Sequence, residues 1–490
     1  MANIITPLES DNQLTNDVTQ VKRRAVRGFV SLAAREVVIG LLYIGTNIAL
    51  SHIFSPQLYG AFFFFHFSLI LYTSFTETGF AGTIIRQQSL PNQTELSTIF
   101  WVQQAVVLVL VLILALLAAP LAGGLALGAS GIWTVYGLAV GFFISSLRTV
   151  PSALLERELQ YRQLALVEVV QAVIFYGGTV GLALLGWGIW SFAIALIVRN
   201  CIAVTLVYLL KPWHPTFHLS RSGLRAVITF GLPYQLVTIV SQLKDSLIPV
   251  LTLLLFGAEA QAYLGWALTQ AEIPSRLAHV VGRVVFPTFS RLQKDKEAVK
   301  TALEKSLSLL FLTAGAFTLG LALLATPLIR YVFGVKWEPA TPAFVLFSFT
   351  MLGGYITTPF IPLLSALGQV RTALLAAIGW LALSWTLGLL LAPSFGYNGI
   401  ALASATATLV VAVALGILVY QQVKFSLWRS CRSAIFAFGP IGIVLGLIQG
   451  QLTNFWLLLG ASLIAGVIYA GLVLLLEGRE LKATLQAMGK

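Results

Sequence analysis

The chain is a succession of long apolar runs separated by short polar segments, from Gly28 almost to the C-terminus. Each run has about 20 residues, and at roughly 1.5 Å per residue a helix of that length crosses a hydrocarbon core of about 30 Å. The runs are continuously apolar and lack the alternating ten-residue segments of a membrane β-barrel. The pattern predicts an all-α polytopic membrane protein with about fourteen transmembrane helices, at 28–53, 58–84, 96–119, 130–150, 164–186, 188–210, 226–256, 261–288, 302–325, 341–366, 371–392, 397–420, 433–450 and 453–476.

Composition supports the same class. Hydrophobic residues make up 58% of the chain, charged residues 10%, and the mean hydropathy is +0.89, which excludes an ordinary soluble domain. The only cysteines are Cys201 and Cys431, so neither a disulfide framework nor a Cys-x-x-Cys metal site is expected, and the sequence predicts no cofactor. Residues 1–27 are polar, so we expect no signal peptide there and an uncleaved first span.

The basic residues predict the orientation of the spans. If the N-terminus is cytoplasmic, the external loops hold only Arg330 and Lys336 of the 30 Lys and Arg residues. Lys and Arg collect in cytoplasmic loops, so we expect both termini in the cytoplasm. The same bias accounts for the net charge of +12 without a nucleic-acid partner.

A weak internal repeat divides the predicted spans into two halves. Leu58, Pro151 and Gly186 open motifs that recur about 205–211 positions later, which is six spans further on. An even number of spans preserves direction, so the halves are expected to be parallel six-helix bundles. The predicted organisation is a cytoplasmic tail, a first lobe, a linker, a second lobe, two added spans and a cytoplasmic tail, at 1–27, 28–210, 211–225, 226–420, 421–476 and 477–490.

Five stretches of the chain carry a family pattern. They are LLYIGTNIALSHIFSPQLYGAFFFFHFSLILYTSFTETGFAGTIIRQ (41–87), PSALLERELQYRQLALVEVV (151–170), LLGWGIWSFAIALI (184–197), FGLPYQL (230–236) and VVFPTFSRLQKDKE (284–297). Their order resembles the Wzx-type polysaccharide flippases, in particular WzxC-like exporters, within the MOP superfamily that also holds lipid II flippases and MATE multidrug antiporters. Glu77 stands where the family usually has Asp, which keeps an acidic group in the second span.

The resemblance implies a fold and a function. Two pseudo-symmetric six-helix bundles would surround a central cavity that opens alternately to each side. The cavity would move a polyprenyl-pyrophosphate-linked oligosaccharide outward across the bilayer of a prokaryotic inner membrane, for cell-surface polysaccharide synthesis. A polysaccharide polymerase partner is implied by the habits of the family alone.

Basic residues inside the apolar runs are the candidate substrate ligands. In span eight, Glu272, Arg276, His279 and Arg283 fall within a stripe of roughly 60°, which is one polar face of the helix. Arg supplies a permanently charged fork that matches pyrophosphate oxygens, and buried charges usually face a partner or a watery cavity. The predicted ligands are Arg276, Arg199, Lys244, Arg35, Arg283 and His279. The alternative is that they form interhelical salt bridges, or that Arg35 and Arg283 snorkel from the helix end.

Four acidic residues in the spans are candidates for coupling to a proton or sodium gradient. They are Asp245, Glu272, Glu77 and Glu36, and each could equally be a permanently paired carboxylate. No Walker A sequence is present, so ATP hydrolysis by this chain is not expected.

Two other classes of protein compete with the flippase. A MATE-like drug antiporter would share the fold, but the five basic residues that lie well inside the spans suit an anionic substrate better than a cationic drug. A membrane-embedded polymerase or ligase would need a sizeable external loop, and in the longest predicted one, 326–340, Arg330 and Glu338 make an unconvincing active site. The sequence therefore favours a transporter and predicts no catalytic residue.

Overall fold

The computed structural model describes residues 35–76, 78–86, 91–217, 219–231, 242–243 and 245–488. These residues are almost entirely helical, with short π and 3-10 turns and, in the part described, no β-strand. Within them, thirteen helical segments are long and apolar enough to cross a membrane, which confirms the predicted all-α polytopic class. Predicted span seven, 226–256, runs through residues 232–241, which lie outside the described residues.

Helices of the described residues are numbered in chain order. They are α1 (Arg35–Ile53), α2 (Pro56–Thr76), α3 (Thr78–Arg86), α4 (Gln93–Leu116), α5 (Ala118–Gly124), α6 (Gly128–Ser146), α7 (Thr149–Arg157), α8 (Tyr161–Leu184), α9 (Trp190–Leu210), α10 (Arg221–Ala226), α11 (Thr252–Ala271), α12 (Ser275–Leu292), α13 (Lys296–Leu310), α14 (Ala316–Leu323), α15 (Ala325–Leu328), α16 (Thr341–Ala366), α17 (Val370–Phe395), α18 (Asn398–Val423), α19 (Leu427–Ile448) and α20 (Phe455–Met488). The π turns are Val227–Gly231, Leu247–Leu251, Phe311–Gly315 and Ile329–Phe333, and the 3-10 turns are Val335–Ala340 and Gln449–Gln451.

Contacts divide the chain into two compact units. The first unit is Met1–Phe54 with Phe65–Gln242, and the second unit is Ser55–Phe64 with Leu243–Lys490. The N-terminal half of α2 therefore groups with the second unit. The lobe boundaries predicted from the repeat stay a prediction.

Polar contacts and small residues hold the first unit together. Gly141 of α6 packs on Leu196 of α9, where an added Cβ would lie 3.0 Å from the leucine side chain. Its carbonyl accepts a 2.8 Å hydrogen bond from the buried Asn200 side chain, also on α9. Tyr72 stacks on Phe142 with ring centroids 4.2 Å apart and donates to the Phe142 carbonyl. Because lipid gives helices little hydrophobic reason to associate, close approach and interhelical hydrogen bonds are the expected stabilising contacts.

Aromatic side chains fill one end of the second unit. Trp266 of α11 and Trp337 of the 3-10 turn are fully buried and stack with centroids 5.4 Å apart. Tyr59 meets Trp337 edge-on at 4.8 Å. Gly60, one residue on, approaches α11 so closely that an added Cβ would lie 2.1 Å from the Ala258 carbonyl oxygen. A glycine is required there for α2 to reach α11.

The helical backbone is interrupted at two places. The first lies between predicted spans seven and eight, and the second lies within predicted span eight. Gly257 has φ 77° and ψ −171°, a conformation open to glycine but not to a helical residue, so two helices meet there. The second break is at residues 272–274, because Pro274 has no N–H to continue the hydrogen-bond ladder; Ser275 N donates instead to Glu272 O, three residues back. The continuous span-eight stripe was therefore wrong for Glu272, which lies in the turn before α12.

Candidate functional site

Two of the predicted coupling carboxylates share one cavity in the second unit. Asp245 precedes the π turn Leu247–Leu251 and Glu272 follows the last residue of α11, and both line a cavity of about 260 Å³. They are 27 positions apart in the sequence, and the kink at Gly257 lies between the segments that carry them.

The rest of the cavity is rich in hydroxyl groups. Its wall includes Thr350 of α16, Ser384 of α17, and Ser404 and Thr408 of α18, of which Ser384 and Thr408 are buried. No Lys, Arg or His lines it among the residues that the structure describes. Two carboxylates and four hydroxyl groups give this cavity the chemistry to hold a proton or a hard monovalent cation.

The predicted cations lie elsewhere. Arg276 is exposed and lies one residue inside the N-terminal end of α12, outside the wall of the cavity that holds Asp245 and Glu272. Lys244 and Glu77 fall outside the described residues, as do the side chains of His279 and Arg283 on α12. Their predicted roles stay predictions.

Arg35 is engaged by two carboxylates in the first unit. Its guanidinium donates to Glu168 on α8 and, at 2.6 Å, to Glu36 beside it on α1. The Arg35 side chain is only 16% exposed and that of Glu168 35%. Partly buried charges of this kind need their partners, so the salt-bridge alternative for Arg35 has direct structural support.

A second polar cavity adjoins that ion pair. It measures about 170 Å³ and is lined by Arg148, Ser152 and Glu156 together with Glu168. Burial of the Glu156 carboxyl raises its pKa, and the negative charge of Glu168 raises that pKa further. The Ser152 hydroxyl is buried and has no hydrogen-bond partner among the described residues. The cavity therefore has opposite charges and room for several waters.

Arg199 lies on α9 within an aromatic cluster of the first unit. Its guanidinium carbon is 5.0 Å from the centroid of the Phe175 ring on α8, and Phe175 contacts Phe192 edge-on at 5.2 Å. An arginine over an aromatic ring is stabilised by the quadrupole of the ring. This contact is one stabilising interaction for an arginine near the middle of an apolar helix, and the predicted role of Arg199 as a substrate ligand stays a prediction.

A large apolar cavity lies in the second unit. It measures about 850 Å³ and is lined almost wholly by aliphatic and aromatic side chains and glycines of α14, α16, α18 and α19. Phe349 and Trp428 on its wall are exposed, so the cavity opens at the helix surface. Such a lining has the chemistry to hold hydrocarbon rather than sugar or phosphate.

Sequence reasoning missed Glu168, Glu156 and Arg148. Glu168 could have been found from the sequence, because it lies in the apolar stretch LVEVV (166–170) of predicted span five. A charged residue within a membrane span is a candidate for a functional site. Arg148 and Glu156 flank a predicted cytoplasmic turn and look like ordinary loop charges. Their grouping with Glu168 depends on how α7 folds back, which no local pattern records.

Comparison with known proteins places the chain in a family. The model of the polysaccharide biosynthesis protein family matches residues 49–342, and the chain belongs to that family. The succinoglycan biosynthesis transport protein ExoT of Rhizobium meliloti (strain 1021) is 27% identical over 484 residues, which cover 93% of each chain. The lipopolysaccharide biosynthesis protein WzxC of Escherichia coli (strain K12) is 22% identical over 344 residues, which cover 69% of each chain.

Solved structures with this fold are transporters. The lipid II flippase MurJ in an inward closed conformation matches with a TM-score of 0.75 and 16% identity over 93% of this chain and 99% of that one. An inward-facing MATE multidrug transporter of the MOP superfamily matches with a TM-score of 0.63 and 13% identity over 81% and 98%. At these identities the likeness concerns the fold alone, and it confirms the predicted fold.

Proposed function

We propose that the protein moves a polyprenyl-pyrophosphate-linked oligosaccharide from the cytoplasmic to the outer leaflet of a bacterial inner membrane, by alternating access, and that it is not an enzyme. The observation that carries the proposal is membership of a polysaccharide biosynthesis family over residues 49–342, combined with a relative named as a transport protein that aligns over 93% of both chains. The MurJ-like fold supports a flipping mechanism.

The three parts of such a substrate make different chemical demands. The pyrophosphate needs cations, and Arg276, Lys244, Arg199, Arg283 and His279 remain the proposed ligands. Arg35 ranks behind them because Glu168 and Glu36 already occupy its guanidinium.

The hydrocarbon part needs an apolar surface open to the lipid. The 850 Å³ cavity of the second unit has that lining and that opening, so it is the proposed place for the polyprenyl chain during transport. The sugars would remain in the aqueous part of the pathway.

A cation gradient is the proposed energy source. Asp245 and Glu272 would take up a proton or Na⁺ in their shared cavity of the second unit. Occupation would neutralise negative charge at this cavity and thereby change the relative stability of the conformations of the unit. A polysaccharide polymerase partner, implied by the family resemblance, remains part of the proposal.

A drug antiporter is the second candidate. It is favoured by the acidic cavity at Asp245 and Glu272 and by the MATE fold, because cationic drugs bind where acids collect. One experiment therefore has to distinguish the flippase from the drug antiporter.

The test is the sidedness of lipid-linked oligosaccharides in a strain that lacks the protein, read by labelling sugars on intact spheroplasts. The proposal expects complete repeat units that cannot be labelled from outside until the wild-type gene is restored, with Arg276→Gln restoring less and Arg330→Gln, an exposed matched control, restoring fully. Normal labelling in the deletion strain would overturn it. Normal labelling with lost efflux of a cationic dye would establish the antiporter instead.

A further inference from the structure

The segment that follows α9, together with most of α10, is fixed to the beginning of α4. We name residues 213–217 and 219–225 the strap. The beginning of α4 is itself ordered by a capping box, in which Asn92 and Glu95 exchange hydrogen bonds. Seven hydrogen bonds join the strap to α4. They are Gln93 Nε2 to His214 O, Trp213 Nε1 to Gln93 Oε1 (3.0 Å), Trp101 Nε1 to Thr216 O (2.9 Å), Thr216 N to Ser97 Oγ (2.9 Å), Thr216 Oγ1 to Ser97 Oγ (3.0 Å), Ser220 N to Thr98 Oγ1 (2.7 Å) and Ser222 Oγ to Glu95 Oε1 (2.5 Å).

These bonds turn the polar groups of the strap toward α4 and leave apolar side chains outside. Phe217 is 85% exposed and Leu219 71% exposed. The Phe217 ring stacks on Trp101 with centroids 4.9 Å apart, so its position is set in advance of any partner. Large exposed apolar side chains on a fixed backbone mark a surface that contacts another apolar phase.

Charge and position identify that phase as the membrane interface. Arg221 and Arg225 are exposed and follow Phe217 and Leu219 in the sequence, and residues 211–225 contain no Asp or Glu. The strap starts three residues after the end of α9, one of the candidate membrane spans, which places it at the level of the lipid headgroups. An apolar ridge flanked by arginines suits the headgroup and acyl boundary of an anionic leaflet.

We propose that the strap is a lipid-binding element, in which Phe217 and Leu219 insert beneath the headgroups and Arg221 and Arg225 bind the phosphates of anionic phospholipid. The bonds to α4 keep this ridge at a fixed depth. The proposal requires that the protein spans a membrane and does not depend on which substrate it moves.

Electron paramagnetic resonance of a spin label can test the depth of the strap. The label is attached through Leu219→Cys in full-length protein that also carries Cys201→Ser and Cys431→Ser, and the protein is placed in nanodiscs. In phosphatidylglycerol, we expect the label to collide more with oxygen, which partitions into lipid, than with a water-soluble nickel chelate. Replacing phosphatidylglycerol by phosphatidylcholine, or introducing Arg221→Gln with Arg225→Gln, should raise nickel accessibility by about twofold or more.

Controls separate this result from a loss of structure or of charge. Arg429→Gln with Arg432→Gln removes two exposed charges of α19 and should leave the label at Leu219 unchanged. A label at Leu116, which is 81% exposed on a membrane span, gives the signal of a lipid-facing site in the same variants. Equal nickel accessibility in both lipids would overturn the proposal. Protection from both reagents in native membranes but not in nanodiscs would also overturn it, in favour of a protein partner.

Discussion

Arg35 of α1 forms an ion pair with Glu168 of α8, 133 positions further along the chain. The pair joins two membrane spans of the first unit, and Glu36 supplies a second carboxylate at 2.6 Å. A guanidinium so engaged would have to give up these contacts to bind pyrophosphate. Whether Arg35 serves stability or transport can therefore be measured.

A double-mutant cycle on Arg35→Gln and Glu168→Gln should show strong coupling. Each single change leaves a partly buried charge without its main partner, so we expect a loss of roughly 1–3 kcal/mol in unfolding free energy. The double variant should lose clearly less than the sum, as measured by unfolding in nanodiscs. The same cycle on Arg330→Gln and Glu338→Gln, whose side chains are 53% and 40% exposed, should give about 0–1 kcal/mol. If the losses in unfolding free energy of the two single variants simply add in the double variant, the pair is not coupled. Arg35 would then rank with the other proposed substrate ligands.

Gly60→Ala should destabilise the second unit. The new methyl group would lie 2.1 Å from the Ala258 carbonyl oxygen, so α2 must move away from α11, at a cost of about 1–3 kcal/mol. Gly45→Ala in α1 is the matched control, because nothing lies within 4 Å of its added Cβ and alanine favours a helix. Equal melting temperatures for the two variants would show that α2 and α11 do not pack as closely as described.

The sequence predicted the features that depend on local pattern and missed those that depend on distant partners. The apolar runs predicted the membrane helices, because a long apolar segment in lipid must satisfy its own backbone hydrogen bonds and a helix does so. The break before α12 was also readable, since Pro274 cannot donate a backbone hydrogen bond. The pairing of Arg35 with Glu168 could not be predicted, because contact between residues 133 positions apart produces no pattern in the sequence of either segment.

The cavity shared by Asp245 and Glu272 contains residues that the sequence predicted and residues that it missed. Each carboxylate was found from its place in an apolar run. The hydroxyls that complete the wall, such as Ser384 and Thr408, resemble ordinary helix residues in the sequence, and only the packing of α16, α17 and α18 reveals them.

Glu156→Gln should change how stability depends on pH. The pKa of Glu156 is raised, first by burial and then by Glu168, so the folded protein favours the protonated acid. The stabilisation is complete below the ordinary pKa of 4.5 and is lost as pH rises through the raised value. We expect Glu156→Gln to raise Tm near pH 7 and to leave it unchanged at pH 4.5. Glu297→Gln, whose side chain is 83% exposed, is the control. A gain in Tm that is equal at both pH values would contradict the expected protonation.

Asp245→Asn and Glu272→Gln should uncouple export from the cation gradient. Each removes an acid from the shared cavity, and we expect export to slow by about tenfold or more, equivalent to roughly 1.4 kcal/mol. The remaining rate should no longer respond to ionophores in the spheroplast labelling assay. Glu259→Gln changes an exposed carboxylate of α11 that does not line this cavity, and should retain the response. If all three variants respond alike, the cavity is not the coupling site.

Filling the apolar cavity should block export without unfolding the protein. Gly439 of α19 lines the 850 Å³ cavity, and nothing lies within 4 Å of an added Cβ at that position. Gly439→Phe can therefore enter the cavity without an initial backbone clash, and it removes volume that the proposed polyprenyl chain would use. We expect little change in Tm and a loss of export of about tenfold or more.

Gly446→Phe makes the same chemical change on the same helix, at a position with equally open surroundings that does not line the cavity. It separates occupation of the cavity from the addition of a phenyl ring to a lipid-facing helix. Normal export by Gly446→Phe together with failed export by Gly439→Phe, at equal Tm, would support a polyprenyl chain in the cavity. Normal export by both would mean that the chain stays in the surrounding lipid, because a ring placed inside the cavity would then obstruct nothing that moves.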